Sequence, residues 1–191
     1  DSMNGRTPCK DGKTISSQKK IMNNEYSRIS DVVKERFSLF KQGESGANLK
    51  KRVMCNGIEL KRKPALLKLC SEKMELSEEK VIHLFRKGNA NKEQVEILLT
   101  KKNIRQRLRD DQPAATIVTI ADDYISPWEN RTFSVREMAR CQSFDDSFEF
   151  LGKRTTGGLK RRVEVPQYTQ VGNAVPPLLA KAVCEEIIKV L

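Results

Sequence analysis

The chain contains 191 residues, of which 38% are hydrophobic and 32% charged, and its formal net charge is +11. This length suffices for one sizeable domain or two small ones. No apolar run approaches the roughly 18 residues that a membrane span needs, which excludes an integral membrane protein, and residues 1–20 lack the apolar core of a signal peptide. Five scattered cysteines and one histidine argue against both a disulfide framework and a zinc site.

Four helices are predicted in the first half of the chain, after an arm of about 24 polar residues without apolar periodicity. Apolar residues recur on one face of each, and a serine or proline marks three of the starts. These helices run from Ser30 to about Phe40, from Pro64 to about Met74, from Ser77 to Lys87, and from Lys92 to Lys101.

The last two of these helices are joined by the short linker Gly88–Asn91. Such a pair is either a DNA-reading helix-turn-helix or an ordinary helical hairpin, and the hairpin is favoured because short helix pairs are common. His83 belongs to this pair and is interpreted as a packed or half-exposed side chain, not as a ligand or base. A dense basic segment follows, and it is equally consistent with a solvated face or with phosphate contacts.

The second half contains a predicted strand and two predicted helices. The β-branched run Ala115–Ile120 predicts the strand. Ser134 and Glu137 form a capping box for a helix that continues to about Ser143. The side chains of Arg136 and Arg140 are expected to point outward or to lie along the seam of this helix. Gly172-Asn173 predicts a turn, since the pair tolerates positive φ, and Pro176-Pro177 predicts the start of a C-terminal helix with one apolar face.

Two segments together resemble one enzyme family. Residues Asn130–Phe144 (NRTFSVREMARCQSF) resemble the ninth conserved motif of the DNA cytosine-5 methyltransferases, and Gln170–Ala180 (QVGNAVPPLLA) resembles their tenth. Upstream, Asp111–Ile117 resembles the stretch that leads back from their target-recognition region. The resemblance covers about the last 80 residues, and both motifs occur in the family's order and spacing.

The resemblance implies an α/β fold class: the C-terminal portion of a Rossmann-like, S-adenosylmethionine-dependent methyltransferase with a small, partly helical target-recognition region. Residues 1–48 would form an N-terminal arm and connecting helix, residues 49–110 the target-recognition region, and residues 111–191 the C-terminal part of the catalytic domain. The implied cofactor is S-adenosylmethionine, and the implied substrate is double-stranded DNA with a cytosine flipped out of the helix.

The resemblance also assigns roles to individual residues. The cofactor-binding residues would be Asn173, Ala174 and Val175. Contacts to DNA phosphates would come from Lys101, Lys102, Arg105, Arg107, Lys160, Arg161 and Arg162. Structural support, including a brace for the recognition domain, would come from Arg136, Glu137 and Gln170.

Several family motifs are not found in this sequence. The nucleophile's Pro-Cys-Gln, the cofactor loop Phe-x-Gly-x-Gly and the Glu-Asn-Val motif are all missing, and Cys9 lacks the context of the nucleophile. We therefore expect no catalytic residue in this chain and no activity without a catalytic N-terminal half, supplied by the same parent chain or by a separate subunit.

Three hypotheses follow for function. The first is part of a bacterial, cytoplasmic DNA cytosine-5 methyltransferase in a restriction-modification or prophage context. The second is a non-catalytic DNA-binding remnant or specificity subunit. The third is a helix-turn-helix regulator, which leaves the segment Gln170–Pro177 unexplained.

Overall fold

The computed structural model describes residues 21–120, 123–155 and 163–191. These residues form a mostly helical structure with two short strands. The helices are α1 (Asp31–Phe37), α2 (Gly46–Asn56), α3 (Pro64–Met74), α4 (Glu78–Arg86), α5 (Lys92–Leu99), α6 (Val135–Cys141), α7 (Gln167–Asn173) and α8 (Pro177–Ile188). The strands are β1 (Gln106–Arg107) and β2 (Tyr124–Ile125).

The described residues divide into two compact units. The first unit comprises residues 21–26, 114–120, 133–155 and 163–191, and the second comprises residues 27–113 and 123–132. This division differs from the predicted segments 1–48, 49–110 and 111–191, because α1 packs on α3 and β2 pairs with β1 inside the second unit. The chain therefore passes from the second unit into the first after residue 113, and residues 123–132 belong to the second unit again.

Helices α1–α5 of the second unit enclose a continuous apolar core. Leu49, Val53, Leu66, Phe85 and Leu98 are fully buried in it. Helix α4 packs on α2 and α3, and α5 packs on the same two helices. The pair that was interpreted as a hairpin or a helix-turn-helix is therefore part of a five-helix bundle.

Helix α2 is the element of this bundle that the sequence pattern did not predict. Its apolar residues Leu49 and Val53 lie four positions apart on one face, with the basic residues Lys50, Lys51 and Arg52 between them. Ser45 caps the helix by accepting a hydrogen bond from the Asn48 amide. The basic run concealed a short amphipathic helix in which Leu49 and Val53 are the only buried side chains.

The predicted strand at Ala115–Ile120 is not formed. The described residues of this segment do not adopt strand structure, although Ile117 is buried. A β-branched run becomes a strand only when a neighbouring strand accepts its hydrogen bonds. Here the backbone of Val118 and Thr119 instead lies against α7.

That contact also corrects the prediction for Gly172. The residue lies within α7 and does not have the positive φ of a turn. A Cβ atom at this position would lie 2.8 Å from the carbonyl carbon and oxygen of Val118 and from the amide nitrogen of Thr119. Glycine is therefore required because two backbones approach closely, and not because the chain turns.

Arg136 lies fully buried at the centre of the first unit. Its guanidinium donates to the carbonyl of Met22 at 3.1 Å, to that of Asp145 at 2.8 Å and to that of Phe148. The buried carboxylate of Asp146 lies 3.9 Å away. Burial lowers the pKa of Arg136 and Asp146 opposes that shift, but an arginine stays charged at neutral pH. The prediction that Arg136 points outward from its helix is therefore wrong.

No helix in the described ranges is long and apolar enough to cross a membrane. The same ranges hold no group of three or more His, Cys, Asp or Glu side chains suited to a metal ion.

Replacing Gly172 with alanine tests the close approach of α7 to Val118. A glycine-to-alanine change inside a helix normally stabilises it by up to about 1 kcal/mol. We expect the opposite here, a loss of about 1–3 kcal/mol in the free energy of unfolding, because the added methyl group overlaps backbone atoms. Urea unfolding followed by circular dichroism measures the sign, and a stabilised variant would contradict the packing described above.

Replacing Arg136 with methionine tests its role in the first unit. We expect the opening free energy of the α6 amides, measured by native-state hydrogen exchange, to fall by about 3–5 kcal/mol because buried carbonyls and Asp146 lose their cationic partner. The matched control is Arg154→Met, since Arg154 donates to the carbonyls of Glu25 and Tyr26 at the surface. We expect that control to cost about 1 kcal/mol or less, and equal losses would show that burial of Arg136 is unimportant.

Candidate functional site

The predicted cofactor-binding residues lie in the connection between α7 and α8. Asn173 is the last residue of α7 and is exposed. The Ala174 amide donates to the carbonyl of Val171 at 3.2 Å, so it is used in ending the helix. Val175 exposes 64% of its surface. The connection thus offers a ligand one amide side chain and one apolar side chain, whereas the Ala174 amide is already occupied.

Gln170 and Glu137 make hydrogen bonds that hold the local backbone. The Gln170 side chain donates to the carbonyls of Leu151 and Val165, each at 2.9 Å, and so joins α7 to two points of the preceding loop. The Glu137 carboxylate accepts from the Ser134 amide at 2.8 Å, while the Ser134 hydroxyl accepts from the Glu137 amide at 3.1 Å. The predicted capping box is therefore confirmed.

Helix α8 begins at Pro177, as the two prolines predict, but none of its residues is buried. Its first turn is held by a hydrogen bond from the Leu178 amide to the Ser143 hydroxyl at 3.1 Å. Leu179, Val183 and Ile187 repeat at helical spacing and are about half exposed or more. An apolar helical face of this kind normally packs against another element.

The basic segment after α5 does not present all four of its predicted DNA-binding side chains to solvent. Lys101 is exposed, and Lys102 is partly exposed with its ammonium 3.2 Å from the Asp123 carboxylate. Arg105 and Arg107 are buried, and the guanidinium of Arg105 lies over the Phe37 ring at 5.0 Å. The burial of both side chains argues against the prediction that Arg105 and Arg107 contact phosphates.

Arg107 instead holds the loop that follows β2. Its guanidinium donates to the carbonyl of Ser126 at 2.7 Å, to that of Phe37 at 2.8 Å and to the Asn130 side-chain oxygen at 2.6 Å. Burial lowers the pKa of Arg107, and its Nε atom is buried without a hydrogen-bond partner in the described structure. Sequence reasoning missed this role; the turn signal Ser126-Pro127 between two extended segments was the cue that could have indicated it.

The remaining predicted residues are outside the described part of the chain or lack suitable chemistry. Lys160, Arg161, Arg162 and Cys9 lie outside the described residues. Burial raises the pKa of the Cys70 thiol to about 11, so it is not a thiolate at neutral pH. Cys55, Cys141 and Cys184 are exposed.

The described side chains form two separate candidate surfaces, each within one unit. The first unit carries the Asn173–Val175 connection and the exposed apolar face of α8. The second unit carries Lys101 and the loop that Arg107 holds. Among the described residues, neither surface groups a nucleophile with a general base.

Comparison with known proteins identifies the family. Residues 5–189 match the profile of the C-5 cytosine-specific DNA methylases. Type II methyltransferase M.DdeI of Desulfomicrobium norvegicum is 47% identical over 77 residues, which are 40% of this chain and 18% of that protein. Type II methyltransferase M.AquIB of Picosynechococcus sp. is 44% identical over 84 residues, 43% of this chain and 60% of that protein.

A third relative, type II methyltransferase M1.HphI of Haemophilus parahaemolyticus, is 40% identical over 83 residues, 44% of this chain and 20% of that protein. The matched part is thus less than two thirds of the length of each of these curated relatives. Because the family profile extends over nearly the whole sequence, the chain belongs to the C-5 cytosine-specific DNA methylase family.

Proposed function

We propose that this chain is the C-terminal part of a DNA cytosine-5 methyltransferase, comprising a target-recognition region and the ninth and tenth conserved motifs. It acts with a matching N-terminal half, meaning the polypeptide from the same source that carries Pro-Cys-Gln and the glycine-rich cofactor loop. The complete enzyme transfers a methyl group from S-adenosylmethionine to C5 of a flipped cytosine, in a bacterial restriction-modification setting.

The exposed apolar face of α8 is the observation that carries this proposal. Leu179, Val183 and Ile187 form a stripe that no described residue of the first unit covers. Leaving several large apolar side chains in water costs about 1.5–3 kcal/mol each relative to burial. A catalytic half that covers this stripe removes that cost, and the missing nucleophile and cofactor loop require the same half.

The residues of the α7–α8 connection fit one side of an S-adenosylmethionine site. Asn173 has a side-chain amide that both donates and accepts, which suits the polar edge of a nucleoside. Val175 supplies an exposed apolar surface for a ring or a ribose face. Bound there, S-adenosylmethionine supplies the methyl group, and Ala174 contributes to the shape of the connection.

The chain's own residues position the substrate and do not react with it. Flipping the cytosine costs a few kcal/mol of stacking, which protein contacts to the DNA must offset. Lys101 and Lys102 of the second unit, and Lys160, Arg161 and Arg162, are proposed to neutralise phosphates, which fixes the register of the duplex without reading its sequence. Arg136, Glu137 and Gln170 hold the backbone on which Asn173 depends.

Methyl transfer by the assembled enzyme tests this function directly. The chain and its matching half are mixed, and transfer of labelled methyl groups from S-adenosylmethionine to DNA is measured. We expect activity from the mixture and none from the chain alone. Asn173→Ala lowers the rate by about ten- to a hundredfold, as for loss of one hydrogen-bonding side chain, with little loss of DNA binding.

The matched control is Asn89→Ala, because Asn89 is an exposed asparagine in the second unit, outside the proposed cofactor site. It should leave the rate unchanged. Wild-type turnover from Asn173→Ala would remove Asn173 from the site. A mixture that binds DNA and never transfers a methyl group would favour the non-catalytic remnant or specificity subunit.

A further inference from the structure

The tip of the loop 126–131 in the second unit exposes the chain's only tryptophan. Trp128 exposes 71% of its surface, although tryptophan is mostly buried in folded proteins. Its neighbours in the loop are Glu129 and Asn130, which are polar and exposed. The indole is therefore an isolated aromatic group on a polar surface.

The loop that carries Trp128 is held in one conformation. The Ser126 amide donates to the Arg131 carbonyl at 2.8 Å and closes the loop. The Ser126 hydroxyl accepts from the amides of Trp128 and Glu129, each at 3.3 Å. The Arg107 guanidinium also donates to the carbonyls of Ser126 and Glu129. An exposed aromatic on a preorganised loop loses little conformational entropy when it binds a partner.

A second loop lies beside this one and carries Lys41, and Arg109, which follows β1, lies next to it. The Gln42 side chain donates to the Pro127 carbonyl at 3.4 Å, and the Arg109 side chain lies beside Gly43. Lys41 is exposed in the same loop. Arg109 is also exposed, with its guanidinium 2.6 Å from the Asp111 carboxylate.

The wider charge distribution favours a polyanion over a protein partner. Among the described residues, Lys and Arg exceed Asp and Glu in the second unit, whereas acidic residues outnumber basic ones in the first. A protein interface is expected to surround an aromatic anchor with further apolar side chains, but here the neighbours are polar. An aromatic placed against a duplex needs only basic neighbours that contact phosphates.

We propose that Trp128 is a DNA contact, held by Arg107 so that its indole packs against the bases or sugars of the duplex. This inference rests on the proposed function, since it assumes that the second unit faces DNA. Arg107 then acts on DNA indirectly, as a positioning residue for the loop, although it makes no phosphate contact itself.

Because the chain contains one tryptophan, its fluorescence reports on Trp128 directly. The 191-residue chain is titrated at low salt with a random-sequence DNA duplex, while a labelled copy of that duplex reports binding independently. We expect the tryptophan emission to change as DNA binds, and the indole to become protected from acrylamide quenching. Binding without either change overturns the role of Trp128 and leaves the proposed function intact. No binding by the chain alone overturns the inference that its second unit meets DNA, whereas the proposed function is tested separately by methyl transfer from the mixture with the matching half.

Two substitutions extend the test. Trp128→Ala should weaken DNA binding by about tenfold, the loss typical of one aromatic that stacks on a base, whereas Trp128→Phe should retain most of the affinity. Met54→Ala is the matched control, because Met54 is an exposed apolar residue of the same unit on α2. All variants must keep the wild-type circular dichroism spectrum, and equal affinities for all of them would overturn the proposal.

Discussion

A buried guanidinium that donates to loop carbonyls organises each of the two units. Arg136 holds the segments around Met22, Asp145 and Phe148, and Arg107 holds those around Phe37 and Ser126. Irregular segments have carbonyls that no helix or strand satisfies, and burying them unpaired is costly. One arginine with five donors satisfies several such carbonyls at once.

The same arrangement separates residues that build the molecule from residues left for partners. Several of the basic residues are buried, among them Arg105, Arg107 and Arg136. The net charge of +11 therefore overstates the positive charge at the protein surface. The surfaces that remain are the α7–α8 connection, the apolar face of α8, and the loop with Trp128. We propose a different partner for each: a nucleoside, an apolar protein surface and a polyanion.

Local signals predicted the starts of helices well, because capping depends on residues adjacent in sequence. The Ser134–Glu137 box and the prolines at the starts of α3 and α8 are of this kind. Contacts between distant segments were not predictable. Gly172 was assigned to a turn, but its role depends on the backbone of Val118. A basic run likewise cannot reveal that Arg107 is buried, since burial depends on the whole unit.

Hydrogen exchange of α8 is the measurement that tests the account most directly. We expect the amides of α8, from Leu178 onward, to exchange rapidly in the chain alone, because no residue of this helix is buried, and to slow by at least about tenfold when the matching half is added. Helices α1–α5 should be protected in both states by their own core. Protection of α8 in the chain alone, or no change in an active mixture, would contradict the claim that this face is completed by the rest of a methyltransferase.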